Sequence, residues 1–394
     1  MICMTLLLFI LILSILIFVH EFGHFLAAKK AGILVEEFGF GFPPRIWGKK
    51  IGETLYSINA LPIGGFVKLY GEDGDNSGGA ASSRQRADSA SRGRAYFEKS
   101  ILRRLTVLLA GVFMNLVLGI VCFSVLYFVL GIPVKTNKVI IVGIAESSPA
   151  QLSELKEDDE IISVNETKIT SLDQFIKLTS ENSGKKTTLE INRPKDNPCQ
   201  LKEDKKILGG SSANEMGFSC RNGNLLVFLI PRQNPPAGEG PLGVAISDVE
   251  LKKFPWWQMP YLGATEGFKE SLNWGKTIIN TLGKTIRSLV IDRKIPQDVA
   301  GPVGIFQVTG TVAKSGILAV LQFLGILSVN LAIMNILPLP ALDGGRLLFL
   351  GYEVAFRKKV KPEIEAAVNN VGMIFLLSLM VLITINDLLR IFRK

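Results

Sequence analysis

Residues 4–24 read MTLLLFILILSILIFVHEFGH. From Met4 to Val19 only Thr5 and Ser14 are not apolar, and the run can be extended to Ala28. Crossing a hydrocarbon core of ~30 Å takes about 20 residues, so this stretch is long enough to span a membrane. It is a retained span rather than a cleaved signal peptide, because no basic residue precedes it and the first lysines, Lys29 and Lys30, follow it. His20 and His24 stand four apart, on one face of the helix and within reach of one metal ion. Glu21 beside them is placed to work on a water molecule. These two histidines are the only ones in the chain. Ionisable groups inside an apolar span are costly and are read as functional. The bland alternative is a pair of satisfied core histidines. At 1.5 Å per residue His20 lies ~24 Å along the helix from Met4, nearer the cytoplasmic face in the orientation argued below.

The same hydrophobic reading gives three more spans, about Leu105 to Gly131, Ile317 to Leu337 and Val371 to Leu389, in a chain of 394 residues that is 48% apolar. The net charge of +9 is no nucleic-acid stripe. Residues 29–104 hold thirteen Lys and Arg, and Arg346, Arg357, Lys358, Lys359 and Lys361 follow the third span. Both clusters mark cytoplasmic loops by the positive-inside rule, whereas the tail Arg390, Arg393 and Lys394 runs against it.

Between the spans, residues 1–73 comprise the first span and a hairpin region, short apolar pieces and turn residues from Gly39 to Tyr70 with alternation in Leu55 to Leu69. Residues 74–104 form a cytoplasmic linker rich in Gly, Ser, Ala and Arg, and 105–133 the second span. Residues 134–250 are polar enough for a water-exposed domain outside the cytoplasm, with an inserted loop at 194–224. Residues 251–316, with Trp256 and Trp257, read as an interfacial amphipathic segment, and 317–394 carry the last two spans. Of the four cysteines only Cys199 and Cys220 are placed to pair, and only in an oxidising compartment; both paired and free states stay open.

A catalytic zinc site takes three protein ligands. With no histidine left, the third should be a carboxylate. The best candidate is Asp343 in NILPLPALDGGRLL, at the inner end of the third span, where Pro338, Pro340, Gly344 and Gly345 break the helix. Its alternative is an ordinary helix-end carboxylate in a basic loop.

HEFGH at 20–24, PIGGFVKL at 62–69 and SVNLAIMNILPLPALDGG at 328–345 resemble the site-2 protease family, peptidase family M50, in its bacterial branch of regulator-of-sigma-E type. The resemblance spans nearly the whole chain. It implies Zn2+ held by His20, His24 and Asp343, with Glu21 as the general base. It also assigns the unwinding of a substrate helix to Gly64, Gly65 and Phe66 in a membrane-dipping hairpin and to Asn330 and Asn335 in the third span. An extended segment pairing with the hairpin exposes its peptide bonds by β-addition, and buried amides can hold its backbone or an oxyanion. Interhelical packing for the two asparagines, and simple turn chemistry for the glycines, are the other readings. Residues 145–169 resemble a PDZ domain, although glycines expected near Glu154 and Asp158 are replaced. AGVFMN at 110–115 departs from the family's glycine- and proline-containing motif, so Asn115 is given only a structural role.

The expected fold is therefore a polytopic α-helical membrane protein with four transmembrane helices, a membrane-dipping β-hairpin region and an extracytoplasmic α+β PDZ-like domain. The expected function is intramembrane zinc endopeptidase of the bacterial plasma (inner) membrane, with its active site near the cytoplasmic face. Its expected partners are single-span membrane protein substrates, extracytoplasmic peptides at the PDZ-like domain and the lipid bilayer, with no nucleic acid. Family membership implies regulated proteolysis, for example of an anti-sigma factor, or removal of remnant signal peptides. Two rivals are a non-catalytic adaptor sensing extracytoplasmic peptides and a metal transporter. Retention of Glu21 together with a carboxylate for the third position speaks against the adaptor. The transporter lacks a polar relay in the membrane.

Overall fold

A helix satisfies its own backbone hydrogen bonds, so apolar runs that must leave water become helices. The computed structural model describes residues 2–72, 93–194, 197, 199, 217–236, 238–288, 291 and 301–392. In chain order, helix α1 is Ile2–Lys30, strands β1 and β2 are Val35–Ile51 and Thr54–Leu69, and α2 is Ile101–Leu130. Then come β3 (Ile132–Ile144), β4 (Glu160–Val164), β5 (Thr167–Lys168), α3 (Leu172–Glu181), β6 (Thr187–Asn192), β7 (Gly217–Arg221), β8 (Asn224–Leu229) and β9 (Val244–Lys252). Helices α4 (Met259–Arg287), α5 (Pro302–Lys314), α6 (Ile317–Ile336), α7 (Asp343–Phe356) and α8 (Pro362–Phe392) complete the described chain. Among the described residues four helices are long and apolar enough to cross a membrane: Cys3–Lys30, Ile101–Leu130, Ile317–Ile336 and Glu363–Leu389.

Two compact units emerge, Met1–Val129 with Trp256–Lys394, and Leu130–Pro255. In the first unit, β1 and β2 form a two-stranded antiparallel sheet whose register slips repeatedly, and β2 packs along α1. Ala28, Ile33, Val35, Leu69 and Val107 make the small core where helix and hairpin meet. Helices α2 and α6 approach closely. Gly119 and Gly325 leave no room for a side chain, and the Ser328 hydroxyl donates to the Asn115 carbonyl at 2.7 Å. Helix α4 packs on α2 in the same way, with Gly263 against the Ser124 carbonyl. Asp387 of α8 is buried and accepts from the amides of Gly301 and Gly304 at 3.0 and 2.9 Å, which caps the N-terminus of α5 from a distant helix.

The second unit is a seven-stranded sheet in the order β7-β8-β6-β4-β3-β9, with β5 paired to β4. Val139, Ile141, Ile161, Leu189, Ile191, Val227 and Leu229 alternate inward to form its core, with Phe175 of α3 beside them. Asp159 is fully buried and takes a bidentate pair from Arg193 at 2.7 and 2.8 Å. Cys199 and Cys220 are joined by a disulfide.

Several boundaries differ from the sequence reading. The second long helix begins at Ile101, not Leu105, because the Arg104 guanidinium folds back to a 2.7 Å pair with Glu353 and adds a polar turn to the apolar run. The fourth begins at Pro362, nine residues before Val371, because PEIEAAVNN is polar but helix-forming and Pro suits the first helical position. The stretch 194–224, read as an inserted loop, ends in strand β7, which pairs with β8. The sheet runs to Lys252 rather than 250, since Ile132 and Lys252 are partners. The described residues of 251–316 include the helices α4 and α5. Of the 74–104 linker, residues 74–92 lie outside the described residues, Tyr96–Glu98 is a short 3-10 helix, and 101–104 belong to α2.

Candidate metal centre

Helix α1 carries His20 and His24 one turn apart and both buried, with ring centroids 4.7 Å apart and ring planes at 84°. Helix α6 ends at Ile336, and the irregular segment Leu337 to Leu342 turns the chain back so that Asp343 opens α7. That turn requires its glycines. A side chain on Gly344 would overlap the Leu337 carbonyl, and one on Gly345 would meet the Leu339 carbonyl. Ala341 adopts a left-handed φ of 68°, and its amide donates to Asn369 of α8 at 3.3 Å.

These elements bring three ligand atoms together. Asp343 Oδ2 lies 3.0 Å from His20 Nε2 and 3.3 Å from His24 Nε2, and the two Nε2 atoms are 3.1 Å apart. Among the described residues these three side chains form a candidate metal-holding group. Tetrahedral zinc with bonds of about 2.0–2.1 Å has ligands roughly 3.3 Å from one another, close to the three edges of this triangle. The chemistry of the donors agrees. His24 Nδ1 faces the Val107 carbonyl at 2.8 Å, which fixes the proton there and leaves Nε2 as a lone pair. Asp343 Oδ2 is buried without a hydrogen-bond donor. Two imidazole Nε2 atoms and a carboxylate oxygen converging on one point are the donor set of a cation, so the residues present fit zinc.

Glu21 is half-buried on the same turn of α1, and its carboxylate faces the backbone amide of Val67 in β2. It lines a cavity of about 340 Å3 with His24, Asp343, Phe66 and Arg346. Arg346, one turn after Asp343, is ion-paired to Glu72 on the cavity wall. The cavity wall thus sets a carboxylate beside the three side chains.

Of the residues singled out for substrate, Asn335 reaches the centre, its Nδ2 3.5 Å from His20 Nε2. Asn330 lies five residues back, about 140° round the helix, and makes no hydrogen bond to the three side chains. Gly65 lets β2 approach α1, since a Cβ there would lie 3.4 Å from Glu21 Cγ and 3.2 Å from the Gly39 carbonyl. Gly64 holds a φ of 115° with the Phe42 ring against it, and the Phe66 ring covers Gly39.

Three contributors escaped the sequence reading. Gly111 of α2 faces both imidazoles, and a Cβ there would overlap His24 Nε2 and come within 2.7 Å of His20 Cε1. Gly23, inside HEFGH, lets the Ala110 carbonyl approach in the same way. The Val107 carbonyl orients His24. The available signal was the pairing of small residues, Gly23 and Gly111, in two apolar spans, which marks close helix contact.

Comparison with known proteins agrees with this chemistry. The model of peptidase family M50 matches residues 8–379. A protein of Clostridium perfringens named as a zinc metalloprotease is 32% identical over 381 residues, covering 96% of this chain and 97% of that one. One of Clostridium acetobutylicum with the same description is 31% identical over 379 residues, 96% and 95% of the two chains. The zinc metalloprotease RasP of Oceanobacillus iheyensis is 28% identical over 458 residues, 98% and 99% of the two chains.

Proposed function

The chain belongs to peptidase family M50, and from that premise we propose that this zinc metalloprotease is an intramembrane endopeptidase, cutting peptide bonds in or near the transmembrane segment of single-span membrane proteins. The observation that carries the proposal is the triangle of His20, His24 and Asp343, with Glu21 beside it, built on helices long and apolar enough to cross a membrane.

In this reading His20, His24 and Asp343 hold zinc, whose contribution when bound is Lewis-acid polarisation of the scissile carbonyl and acidification of water. The Glu21 carboxylate takes the proton of the attacking water and passes it to the leaving amine nitrogen. Asn335 donates its amide hydrogen to the substrate carbonyl oxygen as charge develops there. The β2 stretch Gly64, Gly65 and Phe66 pairs with a substrate segment already drawn out of its helix, and Asn330 holds that segment further along α6. The cavity wall of Phe66, Val67 and Leu108 keeps bulk water from the reacting bond.

The unit Leu130–Pro255 is read as a PDZ-like domain outside the cytoplasm. There it binds extracytoplasmic peptides and excludes substrates whose external parts are still bulky. The Cys199–Cys220 disulfide supports that side, since such bonds persist in oxidising compartments. The enzyme then works in the bacterial plasma (inner) membrane with its metal centre near the cytoplasmic face, releasing a cytoplasmic fragment such as an anti-sigma factor or clearing remnant signal peptides. The test is Glu21→Gln, purified with zinc and given a single-span substrate in detergent. Cleavage should drop by about 10²–10⁴ while zinc content is unchanged. Wild-type cleavage by that variant would remove Glu21 as the base.

A further inference from the structure

Asn115 is fully buried in α2, and its side-chain amide meets Nδ1 of His20 at 3.1 Å. We propose that Asn115 is a positioning residue, whose side-chain carbonyl accepts the Nδ1 proton of His20 and so holds the tautomer that presents Nε2 to the metal. The inference rests on the zinc reading above and deepens it.

Three observations lead there. His20 Nε2 is the atom turned to Asp343 and His24, at 3.0 and 3.1 Å. A neutral imidazole that offers Nε2 as a lone pair keeps its proton on Nδ1, and that proton needs an acceptor. His24 has the same requirement and meets it with the Val107 carbonyl at 2.8 Å. At His20 Nδ1 the corresponding group is Asn115, whose Oδ1 is buried with no hydrogen-bond partner. The two ends of an amide have nearly the same outline, so a half-turn of the terminal bond places Oδ1 at Nδ1–H. In that rotamer Oδ1 accepts the Nδ1 proton, and Nδ2 takes the place that Oδ1 held. The backbone of Asn115 is held in place while this happens, because its carbonyl accepts from Ser328. The two imidazoles are then oriented by two carbonyls of one helix, from Val107 and Asn115, two turns apart.

The experiment measures zinc affinity of the detergent-purified full chain by chelator competition, for wild type, Asn115→Leu, Asn115→Ala, Asn115→Asp and Asp343→Ala. Leucine keeps the outline without an acceptor, and aspartate keeps an acceptor oxygen. Loss of an outer partner to a metal-bound histidine weakens binding by about 10- to 100-fold. That loss is expected for Asn115→Leu and Asn115→Ala, whereas Asn115→Asp should bind as wild type or tighter. A second readout is the ¹⁵N spectrum of histidine-labelled, zinc-loaded protein, which contains two rings because the chain has two histidines. Wild type should show Nδ1–H on both rings in strong hydrogen bonds, and Asn115→Leu should lose one of them. Wild-type affinity in both the leucine and alanine variants, or an equal loss in the aspartate variant, overturns the proposal. Should the leucine variant fail to fold, the alanine and aspartate pair decides. No zinc in wild type, or zinc unaffected in Asp343→Ala, overturns the metal reading itself and this inference with it.

Discussion

Replacing Gly111 by alanine adds one methyl group, directed between the two imidazoles. Its carbon would sit 2.7 Å from His20 Cε1, where ordinary contact begins at about 3.4 Å. The His20 ring must therefore retreat by about 0.7 Å, and the His24 ring, whose Nε2 lies nearer still, by more. His24 has little freedom to do so, because its Nδ1 is tied to the Val107 carbonyl one turn earlier on the same helix. Metal–ligand distances tolerate about 0.2 Å, so the displacement exceeds what the centre can absorb. Misplacement on the scale of 1 Å costs on the order of 100-fold in rate. Zinc affinity by chelator competition and cleavage of a single-span substrate should both fall by about that factor, with helix content by circular dichroism unchanged. Gly351→Ala is the control, since a Cβ there meets open space in α7 and alanine favours a helix interior by about 1 kcal/mol. If Gly111→Ala stays within about threefold of wild type in both assays, the close contact of α2 with the two imidazoles has been misread.

Other perturbations probe the frame around the centre. The pair of Arg104 and Glu353 is largely buried, with side-chain exposures of 10% and 14%. Glu353→Leu should cost about 3–5 kcal/mol by leaving the guanidinium unpaired, and adding Arg104→Met should recover most of that in chemical unfolding. Asp387→Ala strips two amides of their acceptor at the start of α5, and should lower stability by about 1–3 kcal/mol; an unchanged unfolding midpoint would refute the cap. Glu53 is held down to about 2, from 4.5, by hydrogen bonding to Arg94 and the charge of Lys29. A depressed folded value means its contribution is complete above about pH 5 and is lost as pH falls toward 2. Glu53→Gln should therefore flatten the acid side of the thermal-midpoint profile, weakly and less so in high salt because the carboxylate is exposed. Reduction of Cys199–Cys220, a pair with a sequence separation of 21, should destabilise the unit Leu130–Pro255 by about 3 kcal/mol. Proteolysis of that unit with and without reductant reads the difference.

What the sequence made legible was whatever depends on local geometry. Two histidines four apart must share a helix face, and a long apolar run must bury its backbone bonds in a helix. Contacts set by the third dimension were not legible. Helix α4 carries Lys269, Glu270 and Lys276, so hydropathy cannot reveal that Gly263 and Gly267 seat it against Ser124. Arg104 reads as the end of a basic loop, yet it lies inside α2 because Glu353 waits for it almost 250 residues later. Gly111 carries no chemistry of its own and matters only by what it leaves empty. Asn115 looks structural until His20 is seen at its amide, 95 positions away. Strand β7 hides in a polar, cysteine-bounded patch because its hydrogen-bonding partner, rather than its own composition, makes it a strand.

His20 and Asp343 stand more than three hundred residues apart along the chain. Protein synthesis adds about 5–20 residues per second, so both histidines leave the ribosome roughly 15 to 60 s before the carboxylate that completes their triangle. Throughout that interval a growing chain holds the imidazoles and Glu21 without the Asp343 carboxylate. An unfinished copy, or one truncated before the last two long helices, is left with an incomplete centre. Because Asp343 follows the third long helix, the order of synthesis itself keeps the three side chains apart until most of the chain has been made.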